Sequence, residues 1–238
     1  DYVFAHNSKV PGMYYIETDD QGERSFIYWR DDSAAKKVVE FISPELVKQL
    51  SSGDMFFFSG ISLAVIEEQA RAQFWDIVKQ LKAAGVKIVF DPNYRARLWD
   101  NVEQTKAQYH SAFSLADITL PGVEDLETLY NVQSVEAVID YLAPYNINEI
   151  IVKNGPDSVI TKEANTVQSH SITPVKNVVD TTSAGDAFNG VYLGARLDGR
   201  PISEAVKLGA QAAGAVIQQP GAIAPKDVFQ QAMAKSGL

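Results

Sequence analysis

An acidic residue follows a run of small and hydroxyl-bearing residues in the stretch Asp180-Thr-Thr-Ser-Ala-Gly-Asp186-Ala-Phe-Asn-Gly190. A helical pattern begins directly after it and places Asp186 in the first turn of a predicted helix, beside backbone N–H groups without helical partners. That end of a helix favours anions and phosphate. A carboxylate there can take a proton from an alcohol while the neighbouring amides hold a phosphoryl group. The stretch therefore predicts phosphoryl transfer from a nucleotide to an alcohol.

A second group of polar residues, 91–95, follows a predicted strand at residues 86–90. Ligands of open α/β sheets bind just beyond the carboxyl ends of the strands, so this loop is a second candidate site. A Pro-Asn turn with solvated charges is the alternative interpretation. A turn by itself does not require two arginines and a tryptophan, which are present here as Arg95, Arg97 and Trp99.

Aromatic residues near the start of the chain predict a β-hairpin with strands at 14–18 and 24–30 and a turn at 19–22. On the pattern alone, strand packing explains the aromatic and arginine side chains at 28–30. A hairpin is marginally stable by itself, so it must pack on another part of the protein.

Strand and helix patterns alternate along the rest of the chain and predict an α/β fold. An apolar run at 55–58, a helical pattern at 66–81 and the strand at 86–90 form a predicted βαβ unit. Two strands at 158–161 and 166–169 read as antiparallel, which is a common way to finish such a sheet. The other predicted helices cover residues 33–41, 44–50, 102–115 and 135–142, with further ones beginning at 124, 201 and 225.

Composition excludes several classes of protein. The 238 residues carry a net charge of −9, which argues against nucleic acid or an anionic membrane as partner. No apolar run approaches the roughly 18 residues of a membrane span. The absence of cysteine excludes disulfides and thiolate metal sites and permits a reducing cytoplasm, which is the expected location.

Known nucleotide and catalytic motifs are missing. The sequence contains neither the glycine-rich dinucleotide fingerprint nor the Walker-type P-loop. Its three histidines stand alone, which argues against a zinc site, and Ser59-Gly60 does not match a nucleophile elbow. The first residues, Asp1-Tyr-Val-Phe, resemble neither an initiator sequence nor a signal peptide. We therefore expect the chain to be the later part of a longer protein.

The stretch from Asp180 to Asp186 resembles the second signature of the ribokinase-like (PfkB) carbohydrate kinases, with Val191 where the family usually has Ala or Gly. Further stretches resemble the bacterial branch of this family that phosphorylates 2-keto-3-deoxygluconate. They are Gly12-Met-Tyr-Tyr-Ile-Glu17, Gly22-Glu-Arg-Ser-Phe, Tyr28-Trp-Arg30, Ser59-Gly-Ile-Ser-Leu63 and Asp91-Pro-Asn-Tyr-Arg-Ala-Arg-Leu-Trp99. The resemblance covers nearly the whole chain.

The resemblance implies a three-layer ribokinase-like α/β fold with a mostly parallel central sheet and a small β lid. Residues 1–30 would contain the lid hairpin and the end of a missing amino-terminal region. Residues 31–238 would form the α/β domain with the ATP site. The strand and the glycine-rich first signature with which the family begins are missing from this chain.

The activity implied by the resemblance is phosphorylation of the terminal hydroxyl of 2-keto-3-deoxygluconate by ATP, giving 2-keto-3-deoxy-6-phosphogluconate. Asp186 would be the catalytic base, and the backbone N–H groups of Ala184, Gly185 and Asp186 would hold the transferring phosphoryl group. Two alternatives stay open: another sugar kinase of this family, such as a fructokinase or ribokinase, and a non-catalytic sugar- or nucleotide-binding relative. A homo-oligomer is also expected, because lid strands often serve as interfaces in this family.

The resemblance also assigns the two substrates to side chains. The sugar acid would be held, besides Asp186, by Tyr15, Tyr28, Trp29, Arg30 and Arg95. Arginine suits the carboxylate because its planar fork can donate two charge-assisted hydrogen bonds at once. ATP would be held by Asn93, Tyr94, Arg95, Lys153, Gly155, Asp157, Ser183, Ala184, Gly185 and Gln211.

Magnesium is expected to bridge the phosphates of ATP. Many relatives use an Asn-x-x-Glu motif, but here the matching positions are Gly122 and Asp125. Glu124 and Asp125 are therefore the candidates, and they would act through water. Some relatives bind a monovalent cation near the positions of Asp180 and Thr182, which are the candidates for such a site here.

Overall fold

The computed structural model describes residues 2–18 and 24–234, so the predicted turn at 19–22 lies outside the described residues. The chain divides into two compact units, Asp1–Ala116 and Asp117–Leu238. Both units combine helices with strands, as the alternating sequence pattern predicts. Among the described helices, none has the length and apolar character that crossing a membrane requires.

The first unit begins with the predicted antiparallel hairpin, in which β1 (Met13–Thr18) pairs with β2 (Arg24–Trp29). Side chains alternate between the two faces of such a ribbon. Tyr28 therefore shares one face with its partner Tyr14. The opposite face carries four side chains that are 45 to 63% exposed: Met13, Tyr15, Ile27 and Trp29. We call these four residues the apolar face of the hairpin.

The predicted βαβ unit is present, but its helix is divided. Strand β3 (Met55–Ser59) pairs in parallel with β4 (Lys87–Asp91). The chain between them forms α2 (Gly60–Val65), a 3-10 turn and α3 (Arg71–Ala83). The predicted helix over 66–81 is wrong before residue 71, because Ser59 and Ser62 cap an earlier helix that ends at Ile66 in an extended conformation.

Aromatic rings fill the space between these strands and α3. The ring centroids of Phe58 and Phe74 are 5.3 Å apart, and those of Phe58 and Phe90 are also 5.3 Å apart. Leu81 and Ile88 have no exposed surface. This packing holds the carboxyl end of β4 rigidly where the 91–95 loop begins. The unit also contains a 3-10 helix at Ala34–Phe41, α1 (Pro44–Leu50) and α4 (Val102–Leu115).

The second unit contains four neighbouring strands of a larger sheet. Strand β5 (Ile118–Thr119) pairs in parallel with β6 (Glu149–Asn154), and β7 (Ser158–Glu163) and β8 (Thr166–Ser171) continue the sheet antiparallel. The predicted change from parallel to antiparallel pairing is therefore confirmed. The helices of this unit are α5 (Val123–Tyr130), α6 (Val135–Leu142), α7 (Ala184–Leu197), α8 (Ile202–Val216) and α9 (Lys226–Ala234).

Polar contacts fix α7 against β6. Glu149, buried at the start of β6, accepts a hydrogen bond of 2.6 Å from the Tyr192 hydroxyl and one of 2.9 Å from the Arg196 guanidinium. Burial and the Glu149 carboxylate raise the pKa of Tyr192 well above its usual range, so this hydroxyl stays protonated and donates. The carboxyl half of α7 is thereby held at the start of β6. Its first turn consequently lies toward the other end of that strand.

Candidate active site

Asp186 lies in the first turn of α7, as the sequence predicts. The residue before the helix, Ser183, has φ 62° and ψ 12° and makes no side-chain cap. The left-handed region is sparsely populated by residues other than glycine, and such strain is often found at functional sites. Ala184 donates its amide to the Thr181 carbonyl at 3.3 Å. Among the described residues, Gly185 and Asp186 therefore supply the amides of this turn that are best placed for an anion.

The loop before α7 is held by Asp180. Its carboxylate accepts hydrogen bonds from the amides of Thr182 at 2.8 Å and Gly221 at 3.0 Å. The amides of Val179 and Asp180 both donate to the Ile217 carbonyl. These bonds tie the loop to the end of α8. Asp180 and Thr182 are thus in contact, and the carboxylate already has a structural role.

Lys153 approaches the first turn of α7 from the carboxyl end of β6. Its Nζ lies 3.3 Å from Oδ1 of Asn189 and would lie 3.7 Å from a Cβ atom at Gly185. The structure therefore brings three of the predicted residues, Lys153, Gly185 and Asp186, into one region of the second unit. Sequence reasoning missed Asn189. The sequence does contain a signal for it. Asn189 follows Asp186 by three residues, and its neighbours on the predicted helix are otherwise apolar or small.

Gly155 and Asp157 lie in the tight turn that follows Lys153, with Gly155 at φ 56°. Both are exposed, and the Asp157 amide donates to the Asn154 carbonyl at 3.2 Å. Gln211 is on α8, where its side-chain amide donates to the Ala232 carbonyl of α9 at 2.7 Å. Contact of these residues with ATP stays a prediction.

The acidic candidates for magnesium lie at the start of α5. Gly122 forms a backbone bridge with Lys153, so this helix begins next to that lysine. Asp125 accepts a hydrogen bond from the Gly122 amide at 3.2 Å, and Glu124 is exposed. Within residues 2–18 and 24–234, no group of three acidic or histidine side chains is arranged to hold a metal. These donors fit magnesium held mainly by phosphates and waters, which is its usual coordination at nucleotide sites.

In the first unit, two guanidinium groups lie over one tyrosine ring. The Arg30 Cζ is 4.1 Å from the centroid of the Tyr28 ring, and the Arg97 Cζ is 5.7 Å from it. Gly12 makes this packing possible, since a Cβ atom there would lie 2.7 Å from Cβ of Arg30. The result is a local concentration of positive charge in a protein of net charge −9. Arg97 was noted in the sequence as part of the 95–99 cluster, but no role was predicted for it.

The 91–95 loop is fixed by tyrosine packing. Tyr109 donates to the Pro92 carbonyl at 2.6 Å, and Gly60 is required because any side chain there would overlap both groups. Tyr94 is buried and its ring lies 6.2 Å from that of Tyr109, so its side chain offers little surface to a ligand. Asn93 has φ 34°, a left-handed conformation that asparagine tolerates better than most residues.

Arg95 follows this loop and is exposed, with its Nη1 donating to the Tyr94 carbonyl at 2.8 Å. The hairpin does not bring its three predicted aromatic residues together. Tyr28 faces one side, with Arg30, whereas Tyr15 and Trp29 lie on the apolar face. Because successive strand residues point in opposite directions, one ligand cannot pack on all three from the same side.

Comparison with known proteins gives a consistent result. A sequence model described as the pfkB family carbohydrate kinases matches residues 1–228. The chain is 38% identical over 226 residues to 2-dehydro-3-deoxygluconokinase of Escherichia coli strain K12. The matched region covers 93% of this chain and 73% of that protein. It is 35% identical to 2-dehydro-3-deoxygluconokinase of Dickeya dadantii strain 3937, over 96% of this chain and 75% of that protein.

A likeness in structure accompanies the likeness in sequence. The fold matches that of a proposed ribokinase II from E. coli, solved in complex with ATP and Mg2+, with a TM-score of 0.80. The match covers 96% of this chain and 72% of that protein, at 22% sequence identity. It confirms the predicted ribokinase-like α/β fold.

Proposed function

Because this chain belongs to the pfkB family of carbohydrate kinases, we propose that it transfers the γ-phosphoryl group of ATP to 2-keto-3-deoxygluconate. The observation that carries this choice of substrate is the 38% identity, over 93% of the chain, to a kinase named for this sugar acid (also called 2-dehydro-3-deoxygluconate). The arginines of the first unit support it, since a carboxylate requires cationic partners and a neutral sugar does not.

Asp186 is the proposed base. Its carboxylate accepts the proton of the terminal hydroxyl as that oxygen attacks the γ-phosphorus, and ADP leaves with the electrons of the broken P–O bond. The amides of Gly185 and Asp186, with Ala184 as a weaker third donor, stabilise the charge on the phosphoryl oxygens. The Lys153 ammonium group, close to Gly185, adds positive charge at the same turn.

Arg30 and Arg95 are the proposed partners of the sugar-acid carboxylate. Tyr28 stacks against the Arg30 guanidinium and fixes its plane, which favours two-point binding of a carboxylate. Contact of Tyr15 and Trp29 with the sugar stays a prediction, because both lie on the hairpin face opposite to Tyr28. In this proposal residues 1–30 act as a lid that excludes water during transfer, and residues 31–238 carry the ATP site.

For ATP we propose contacts with the predicted set, namely Asn93, Tyr94, Arg95, Lys153, Gly155, Asp157, Ser183, Ala184, Gly185 and Gln211. The ATP and Mg2+ bound in the matching ribokinase II structure from E. coli support both as ligands of this fold. Magnesium would neutralise phosphate charge, and Glu124 or Asp125 would hold it through water. A monovalent cation beside Asp180 and Thr182 stays a prediction, which a comparison of turnover in potassium and in tetramethylammonium salts tests.

Since ATP is the donor, we propose a cytoplasmic location, which cell fractionation tests.

A coupled assay of ADP release across sugar acids and neutral sugars tests the substrate. We expect the purified protein to phosphorylate 2-keto-3-deoxygluconate with a much higher kcat/KM than fructose or ribose. Mass spectrometry of the product should place the phosphate on the terminal hydroxyl. Faster phosphorylation of fructose would overturn the choice of substrate and favour a fructokinase.

We also propose that the protein forms a homo-oligomer through the apolar face of the hairpin. Exposed apolar surface of this kind is a common mark of an interface. Ile27→Lys is expected to shift the assembly toward monomer in size-exclusion chromatography with light scattering, because it buries a charge in the contact. Val167→Lys, at an apolar residue of β8 that is also exposed, is the matched control and should leave the mass unchanged. A wild-type protein that is monomeric at every concentration would contradict the proposal.

A further inference from the structure

Asn189 is a buried amide on α7. Only 1% of its surface is exposed, and its Oδ1 accepts a hydrogen bond from the Lys153 Nζ at 3.3 Å. Asparagine is rarely buried in a core unless its amide is hydrogen-bonded, since the group otherwise loses its bonds to water. The Asn189 amide therefore meets Lys153 with almost no access of its own to water.

The same lysine reaches the first turn of α7. Its Nζ would be 3.7 Å from a Cβ atom at Gly185, which lies four residues before Asn189. Residues four apart share one face of a helix, so Gly185 and Asn189 present a single surface to Lys153. A larger side chain at Gly185 would fill the space that the ammonium group approaches.

The helix dipole by itself does not favour a cation at this position. The amino end of a helix carries partial positive charge, so cations are normally favoured at the opposite end. Here a side-chain cation is held at the positive end. A phosphate bound at this turn would be attracted by the ammonium group and by the helix end together.

We infer that Asn189 is a positioning residue, which holds the Lys153 ammonium group over the first turn of α7 to meet the phosphoryl group that is transferred. This inference rests on the proposed kinase activity and adds to it a residue that touches neither substrate. An amide suits the task because Oδ1 orients the ammonium group without cancelling its charge. A carboxylate would form an ion pair and compete with phosphate for the same cation.

A double-mutant cycle separates positioning from stability. Asn189→Leu and Lys153→Met are each expected to lower kcat/KM for ATP about tenfold or more, while the KM for the sugar acid stays unchanged. The double variant should be no slower than Lys153→Met alone, because Asn189 acts through Lys153. Losses that add in the double variant would overturn the inference.

Val206→Ala is the control for simple loss of stability. Val206 is buried on α8, so its truncation should lower the melting temperature without changing the kinetic constants of the folded protein. If Asn189→Leu behaves in the same way, Asn189 has only a structural role and the inference is wrong.

Asn189→Asp keeps the shape of the side chain and tests the charge argument even if Asn189→Leu does not fold. It should weaken binding of a non-hydrolysable ATP analogue about tenfold, measured by calorimetry with Mg2+, at an unchanged melting temperature. Wild-type affinity in this variant would overturn the inference. If no sugar is phosphorylated but Asn189→Asp still weakens binding of the analogue, the proposed reaction fails and the positioning role stands.

Discussion

Asp186→Asn is expected to remove nearly all turnover while ATP still binds. Asparagine has almost the same shape as aspartate but cannot accept the proton of the sugar hydroxyl. Loss of a positioned general base typically lowers the rate about 10²–10⁴-fold, and we expect kcat to fall within that range. The coupled assay measures kcat, and calorimetry with Mg2+ and the ATP analogue measures binding. Removing a negative charge next to the phosphates should leave ATP affinity equal or slightly higher.

The control for this substitution is Asp198→Asn at the opposite end of the same helix. Asp198 is exposed at the carboxyl end of α7, so the variant removes the same charge and should keep wild-type kcat. A kcat in Asp186→Asn close to that of Asp198→Asn would rule out Asp186 as the base. The protein would then be better described as a sugar- or nucleotide-binding relative without this chemistry.

Arg95→Ala is expected to raise the KM for the sugar acid far more than the KM for ATP. Hydrogen bonds to a charged group are worth about 1.5–3 kcal/mol, which corresponds to an increase of roughly tenfold to a hundredfold. The Arg95 side chain is exposed, and its guanidinium has five N–H donors in a planar fork, so it can meet a carboxylate from solvent. Steady-state kinetics with each substrate varied in turn measures both constants.

Two further variants show whether the change in KM is specific to the Arg95 guanidinium. Arg95→Lys keeps the charge but loses the planar fork, so it should fall between wild type and Arg95→Ala. Arg97→Ala removes one positive charge from the same loop and shows how much of the change is general electrostatics. Equal increases in both KM values would identify Arg95 as a phosphate ligand. That is the other role that the chain's resemblance to the family implies for this residue.

The sequence determined the features that depend on neighbouring residues. The run into Gly185 and Asp186 predicted a helix start, and α7 begins at Ala184. Apolar periodicity predicted the strand and helix order of both units, because it reports which side of one element is buried. The error at residues 66–70 has the same origin. Ile66 and Ala70 continue the apolar period of α3, but the cap at Ser59 starts a separate helix.

Only the tertiary structure decided which of these elements meet. Lys153 and Asn189 are 36 residues apart, and their contact exists because Glu149 and Arg196 hold α7 along β6 at its other end. Periodicity contains no information about such a pairing, since it describes each element by itself. The division of the hairpin between the side of Tyr28 and the apolar face likewise followed from strand register. The sequence thus identified candidate residues for phosphoryl transfer, and packing between distant segments decided which of them stand together.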